Sequence, residues 1–115
     1  MRALVVDDEP DEAALLATHL RRAGCDVLVA SDGEHVLADE SLLDVDIAFV
    51  DLRLPGIGGW ELLERIRAVR PDLPLVVASV LDEQDYPAVD GRLPKPFTGE
   101  AVQHLLHTLV PRDGG

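Results

Sequence analysis

Only one cysteine, Cys25, stands in the 115 residues. A single thiol forms neither an intramolecular disulfide nor a cysteine-based zinc site, and a reducing cytosol suits it. Basic residues are scarce as well: 10 Lys and Arg against 22 Asp and Glu leave a formal net charge of −12. A field of that sign repels nucleic-acid backbone and anionic lipid, so direct nucleic-acid binding by this chain is not expected. Long apolar runs are also missing. Ala3–Val6 is too short for a signal-peptide core, and charged or Pro residues interrupt the chain long before a membrane span could form. The expectation is a soluble, cytoplasmic protein without membrane contact, and no internal repeat or low-complexity tract argues otherwise.

What is present has a globular balance, with 47% hydrophobic against 28% charged residues. The length supports one core. Residues 1–110 are expected to form the domain and 111–115 a flexible tail. Short runs rich in β-branched residues recur at Ala3–Val6, Val27–Ala30, Ile47–Val50 and Leu75–Ala78, apolar on consecutive positions as strands covered on both faces are. Arg92–Pro94 is a weaker candidate for a fifth strand.

Helical spacing separates these runs. Pro10 suits a first turn, Ala13, Leu16, Ala17 and Leu20 make a buried stripe, and Gly24 stops the helix. Ser31 and Glu34 form a capping-box pattern for a second helix reaching about Leu43. A third helix spans about Gly59 to Val69 with Leu62, Leu63, Ile66 and Val69 inward. Thr98 caps a last helix whose Val102, Leu105, Leu106 and Leu109 face the core. Between Val80 and Asp90, Pro87 and clustered acids break the pattern, and irregular structure is expected. The alternation implies an α/β fold: a flavodoxin-like, doubly wound, five-stranded parallel sheet with helices on both faces.

Ligands of such sheets bind at the carboxyl ends of the strands. Strand one ends at Asp7 and Asp8, strand three at Asp51, strand four at Ser79, and strand five just before Lys95. Three carboxylates brought together repel one another unless a cation neutralises them, and hard oxygen ligands select Mg²⁺, or Mn²⁺ in its place. Asp51 can then act as a nucleophile toward phosphorus, with the Lys95 ammonium and Ser79 hydroxyl holding the remaining phosphoryl oxygens. Singly, each residue has a plainer role in a turn, a cap or a solvated surface. Their convergence from four strand ends is what points to phosphoryl chemistry.

These residues also carry a resemblance. Val5-Val6-Asp7-Asp8-Glu9-Pro10, Asp51-Leu52-Arg53-Leu54-Pro55-Gly56 with Gly59, and Lys95-Pro96-Phe97 resemble the motifs of response-regulator receiver domains, and the match spans essentially the whole chain. The resemblance implies that Asp51 is the phosphoacceptor, Asp7 and Asp8 the acidic pair, Lys95 the conserved-type lysine and Ser79 the switch hydroxyl. Asp8 and Asp51 would hold Mg²⁺ directly, Asp7 through water, and the Arg53 main-chain carbonyl would join them. It further implies a sensor histidine kinase or histidine phosphotransfer protein as donor, an unidentified output partner, a cis Lys95–Pro96 bond, and no enzyme activity beyond the chain's own phosphorylation and dephosphorylation. The chain departs from the family pattern in placing Val80 after the switch hydroxyl, where a very small residue is usual, and Arg92 where many receivers have a switching aromatic. Its Ser79-to-Lys95 interval is also short, so the helix between strands four and five is expected to be short or absent.

Other readings fit less well. Gly56, Gly58 and Gly59 miss a dinucleotide fingerprint because Glu61 stands where a third small residue belongs. A haloacid-dehalogenase-type phosphatase would need an acid two residues after Asp51, where Arg53 stands. His104 and His107 are spaced for a metal but have no third ligand nearby. Trp60 reads as a packing or surface residue. The alternative from another class is a pseudo-receiver, an interaction module with little or no phosphorylation, and phosphorylation of Asp51 separates the two.

Overall fold

The computed structural model describes residues 1–80 and 89–110. Five strands, β1 (Arg2–Val6), β2 (Asp26–Ala30), β3 (Ile47–Val50), β4 (Leu75–Ser79) and β5 (Gly91–Pro94), form one parallel sheet in the order β2-β1-β3-β4-β5. Among the described residues four α-helices accompany it: α1 (Pro10–Arg22), α2 (Gly33–Ala38), α3 (Gly59–Val69) and α4 (Gly99–Leu109). The fold is flavodoxin-like. The expected short or absent helix between β4 and β5 falls on residues 81–88, and the expected tail on 111–115, both outside the described residues. None of the described helices is long and apolar enough to cross a membrane.

The strands read as unbroken apolar runs because successive side chains enter two different cores. Leu4, Val6, Ala48, Val50, Leu75 and Val77 meet Val36 of α2 and Leu62, Leu63 and Ile66 of α3 on one face. Ala3, Val5, Ile47, Phe49, Val76 and Ala78 meet Ala13, Leu16 and Leu20 of α1 and Val102 and Leu106 of α4 on the other. A fully buried Leu or Phe contributes about 1.5–3 kcal/mol, so neither face can be spared. At the edge, β2 leaves Val29 exposed.

The first helix follows its expected stripe, with Ala13, Leu16, Ala17 and Leu20 buried. The second does not follow its expected cap. Asp32, not Ser31, accepts from the His35 N–H at 2.7 Å, and α2 ends at Ala38. Asp39 then caps a 3₁₀ turn at Glu40–Leu43 through Ser41. Glu34 instead reaches across to the β3–α3 loop, where its carboxylate accepts from the Ile57 N–H at 2.7 Å. The Glu34 carboxylate thus serves a tertiary N–H rather than the local box. Val69, expected inward, is half exposed at the last residue of α3, whereas Thr98 caps α4 as expected through Ala101 N–H.

The sheet order reverses at β1, between the edge strand β2 and the inner strand β3. At such a switch point the connections leave in opposite directions and open a crevice above the strand ends.

Candidate functional site

Four of the five strand ends, those of β1, β3, β4 and β5, bring side chains to this crevice, and the sheet's hydrogen bonding continues one residue beyond β1, β3 and β5. Asp7 N–H donates to the Ala30 carbonyl at 3.1 Å, Asp51 N–H to Val6 at 3.0 Å, and Lys95 N–H to Ser79 at 2.9 Å. Asp7, Asp51 and Ser79 are the buried polar or charged residues among those described. Such backbone anchoring fixes side chains more tightly than a loop does.

Local chemistry then aims the carboxylates. The Glu9 N–H donates to Asp7 Oδ1 at 2.9 Å, and the Arg53 N–H donates to Asp51 Oδ1 at 2.8 Å. Both are turns in which an aspartate binds the backbone two residues on. Lys95 Nζ donates to Asp7 Oδ2 at 2.8 Å, to Asp51 Oδ2 at 2.9 Å, and to Glu12 Oε2. The Lys95–Pro96 bond that follows is cis, and the ring of Phe97 meets His19 of α1 edge-on with centroids 6.0 Å apart.

Gly59 is a steric requirement of the same site. A Cβ there would stand 2.6 Å from Leu52 Cα and nearer still to the Asp51 carbonyl oxygen. The start of α3 therefore lies against the backbone that carries Asp51, as only glycine allows.

Carboxylate oxygens of Asp7, Asp8 and Asp51 lie within 4.8 Å of one another, with Asp8 exposed between two buried partners. Counting Glu12, four carboxylates face one ammonium, so the cluster carries three more negative than positive charges. Burial pushes the Asp7 carboxyl above its ordinary value, against the opposing pull of Lys95 and the Glu9 N–H. Burial also penalises the Lys95 ammonium, but its hydrogen bonds to Asp7, Glu12 and Asp51 outweigh that and raise its pKa above the ordinary value. Oxygen donors carrying this much charge suit a hard divalent cation such as Mg²⁺.

A family model described as the response regulator receiver domain matches residues 3–107. The chain belongs to the response-regulator receiver family. Among curated relatives of this receiver, the alkaline phosphatase synthesis transcriptional regulatory protein PhoP of Bacillus subtilis is 30% identical over 96% of the chain and 49% of its own length. The autoinducer 1 sensor kinase/phosphatase LuxN of Vibrio harveyi is 32% identical over 90% of the chain and 13% of its own length. The receiver thus spans half or less of either relative. Among solved structures, response regulator protein TrrA from Thermotoga maritima, in complex with Mg²⁺-BeF, superposes with a TM-score of 0.85 at 28% identity, covering 95% of this chain and 98% of that one.

The residues expected at the receiver's site, Asp7, Asp8, Asp51, Ser79 and Lys95, stand together at the strand ends, and Arg53 lies beside Asp51 with its side chain exposed. His104 and His107 are exposed on α4, away from the buried face marked by Val102 and Leu106. Glu12 was not anticipated. The available signal was its place in the first turn of α1, immediately after Asp7 and Asp8, because helical side chains lean back toward the N-terminus. Arg92 is exposed, and the nearby Asp90 carboxylate is taken by the Leu75 N–H at 2.8 Å and by Arg67 at 3.3 Å.

Proposed function

We propose that residues 1–110 accept a phosphoryl group on Asp51 from a sensor histidine kinase or a histidine phosphotransfer protein in the cytoplasm, and pass the signal to an output partner. The observation that carries this reading is the setting of Asp51. Its carboxylate is buried, is oriented by Lys95 and the Arg53 N–H, and lies with Asp7 and Asp8 in a cluster that only added positive charge can neutralise.

Asp8 and Asp51, Asp7 through water, and the Arg53 main-chain carbonyl would hold Mg²⁺, or Mn²⁺ in its place. Bound there, the ion would offset the charge on carboxylate and phosphoryl oxygens. An Asp51 oxygen attacks phosphorus as the bond to the donor's leaving nitrogen breaks, and that nitrogen keeps the electron pair and takes a proton. Lys95 then supports one phosphoryl oxygen, and the buried Ser79 hydroxyl, at the end of β4, turns toward another as the switch. The reaction ends on the protein's own side chain.

Incubation with phosphoramidate and Mg²⁺, read by intact mass, tests this. One added phosphoryl group on the wild type and none on Asp51→Asn is expected, because an amide is no nucleophile here. Equal labelling of the two proteins would refute the assignment of Asp51.

A further inference from the structure

An ammonium has three N–H donors. All three of Lys95 are committed, to Asp7, Asp51 and Glu12. A phosphoryl oxygen arriving on Asp51 needs one of them, so one carboxylate must let go.

The three are not equal candidates. The side chains of Asp7 and Asp51 are 5% and 9% exposed, and each is also pinned by a backbone N–H, from Glu9 and Arg53 respectively. Releasing Asp7 from Lys95 would leave a buried carboxylate without its cation, which is expensive, whereas Asp51 passes its charge to the phosphoryl group it carries and keeps its other oxygen beside the same ammonium. The Glu12 side chain is 42% exposed and springs from the first turn of α1, so once released it is hydrated by bulk water. Its flexible three-carbon reach also lets it swing away without moving the backbone.

We infer that Glu12 is a placeholder for the phosphoryl group: it occupies the third donor of Lys95 in the unmodified protein and is displaced into solvent when Asp51 is phosphorylated. It is a positioning residue that acts through Lys95. The inference rests on the phosphoacceptor reading above. In the covalent step the Asp51 O–P bond forms, the donor's P–N bond breaks with its electrons going to nitrogen, ammonia leaves after protonation from water, and Lys95 exchanges the Glu12 oxygen for a phosphoryl oxygen.

Displacing a half-exposed ion pair slows the approach to the phosphorylated state by that pair's modest worth, about two- to fivefold. Phosphoramidate labelling rates at saturating Mg²⁺, followed by intact mass, measure it for wild type, Glu12→Gln and Glu12→Asp. Glu12→Gln weakens the grip on Lys95 by removing charge. Glu12→Asp keeps the charge but is one methylene too short to hold the ammonium. Both are expected to label about two- to fivefold faster than wild type. Faster labelling of Glu12→Gln alone would assign the effect to net charge and overturn the placeholder role. Unchanged rates in both, with the wild type labelled, would overturn it while leaving Asp51 as the acceptor. Absence of labelling in every variant would overturn the phosphoacceptor reading and this inference with it.

Discussion

Replacing Lys95 by Met should destabilise the metal-free domain far more than a surface charge change would. The Lys95 side chain is 6% exposed and is the cation shared by Asp7 and Asp51, themselves 5% and 7% exposed as residues. Met matches the length and apolar stem of lysine, so little packing is lost and the change isolates the charge. Removing one partner of a buried ion pair costs about 3–5 kcal/mol, because the remaining charge is left uncompensated. The lower end applies here. Asp7 and Asp51 keep their N–H donors from Glu9 and Arg53, and the contact with half-exposed Glu12 adds at most about 1 kcal/mol. A loss of about 3 kcal/mol would lower the urea midpoint by about 2 M at a slope near 1.5 kcal/mol per M. Urea unfolding in chelator, followed by circular dichroism, measures this, and repeating it with Mg²⁺ should recover part of the loss by supplying positive charge to the same carboxylates. A Lys95→Met midpoint equal to wild type in chelator would refute the view that Lys95 is what makes the buried acids tolerable.

Asp7→Asn is expected to act in the opposite sense in chelator, neutral or up to about 1 kcal/mol more stable, since burial dominates the environment of this carboxyl. Its pKa is raised in the folded state, so folding binds a proton there and Asp7 lowers stability as pH rises above the ordinary value of 3.8. Wild type should therefore lose stability relative to Asp7→Asn as pH rises above that ordinary value, and a constant difference between them would contradict the assignment. Gly59→Ala brings a Cβ against backbone rather than a movable side chain, and overpacking of about 1–3 kcal/mol should exceed the roughly 1 kcal/mol that Ala gains in a helix. Because the clash falls on Asp51 and Leu52, phosphoramidate labelling should slow as well, and an Ala variant that labels at the wild-type rate would show that this approach does not set the Asp51 geometry.

Local order along the chain was enough for much of this molecule. Strands covered on both faces must be apolar at every position, so Ala3–Val6, Ile47–Val50 and Leu75–Ala78 announced a buried parallel sheet. Once the sheet is parallel, its strands end on the same side, and the residues following them, Asp7, Asp8, Asp51, Ser79 and Lys95, have to meet there. Periodicity also placed the buried stripe of α1 and the core residues of α3, because the helix repeat is intrinsic to the backbone. It does not say where a neighbouring element runs out, which is why Val69 was expected inside and is half exposed.

Contacts between distant segments were decided only in three dimensions. Ser31 and Glu34 match a capping box as written, yet Asp32 takes the cap and Glu34 serves Ile57, whose N–H is brought to it by the β3–α3 loop. Glu12 and Lys95 lie 83 positions apart, and no local pattern relates them. What joins them is the crevice itself, where the first turn of α1 and the end of β5 come together and a lysine with one donor left finds the nearest carboxylate.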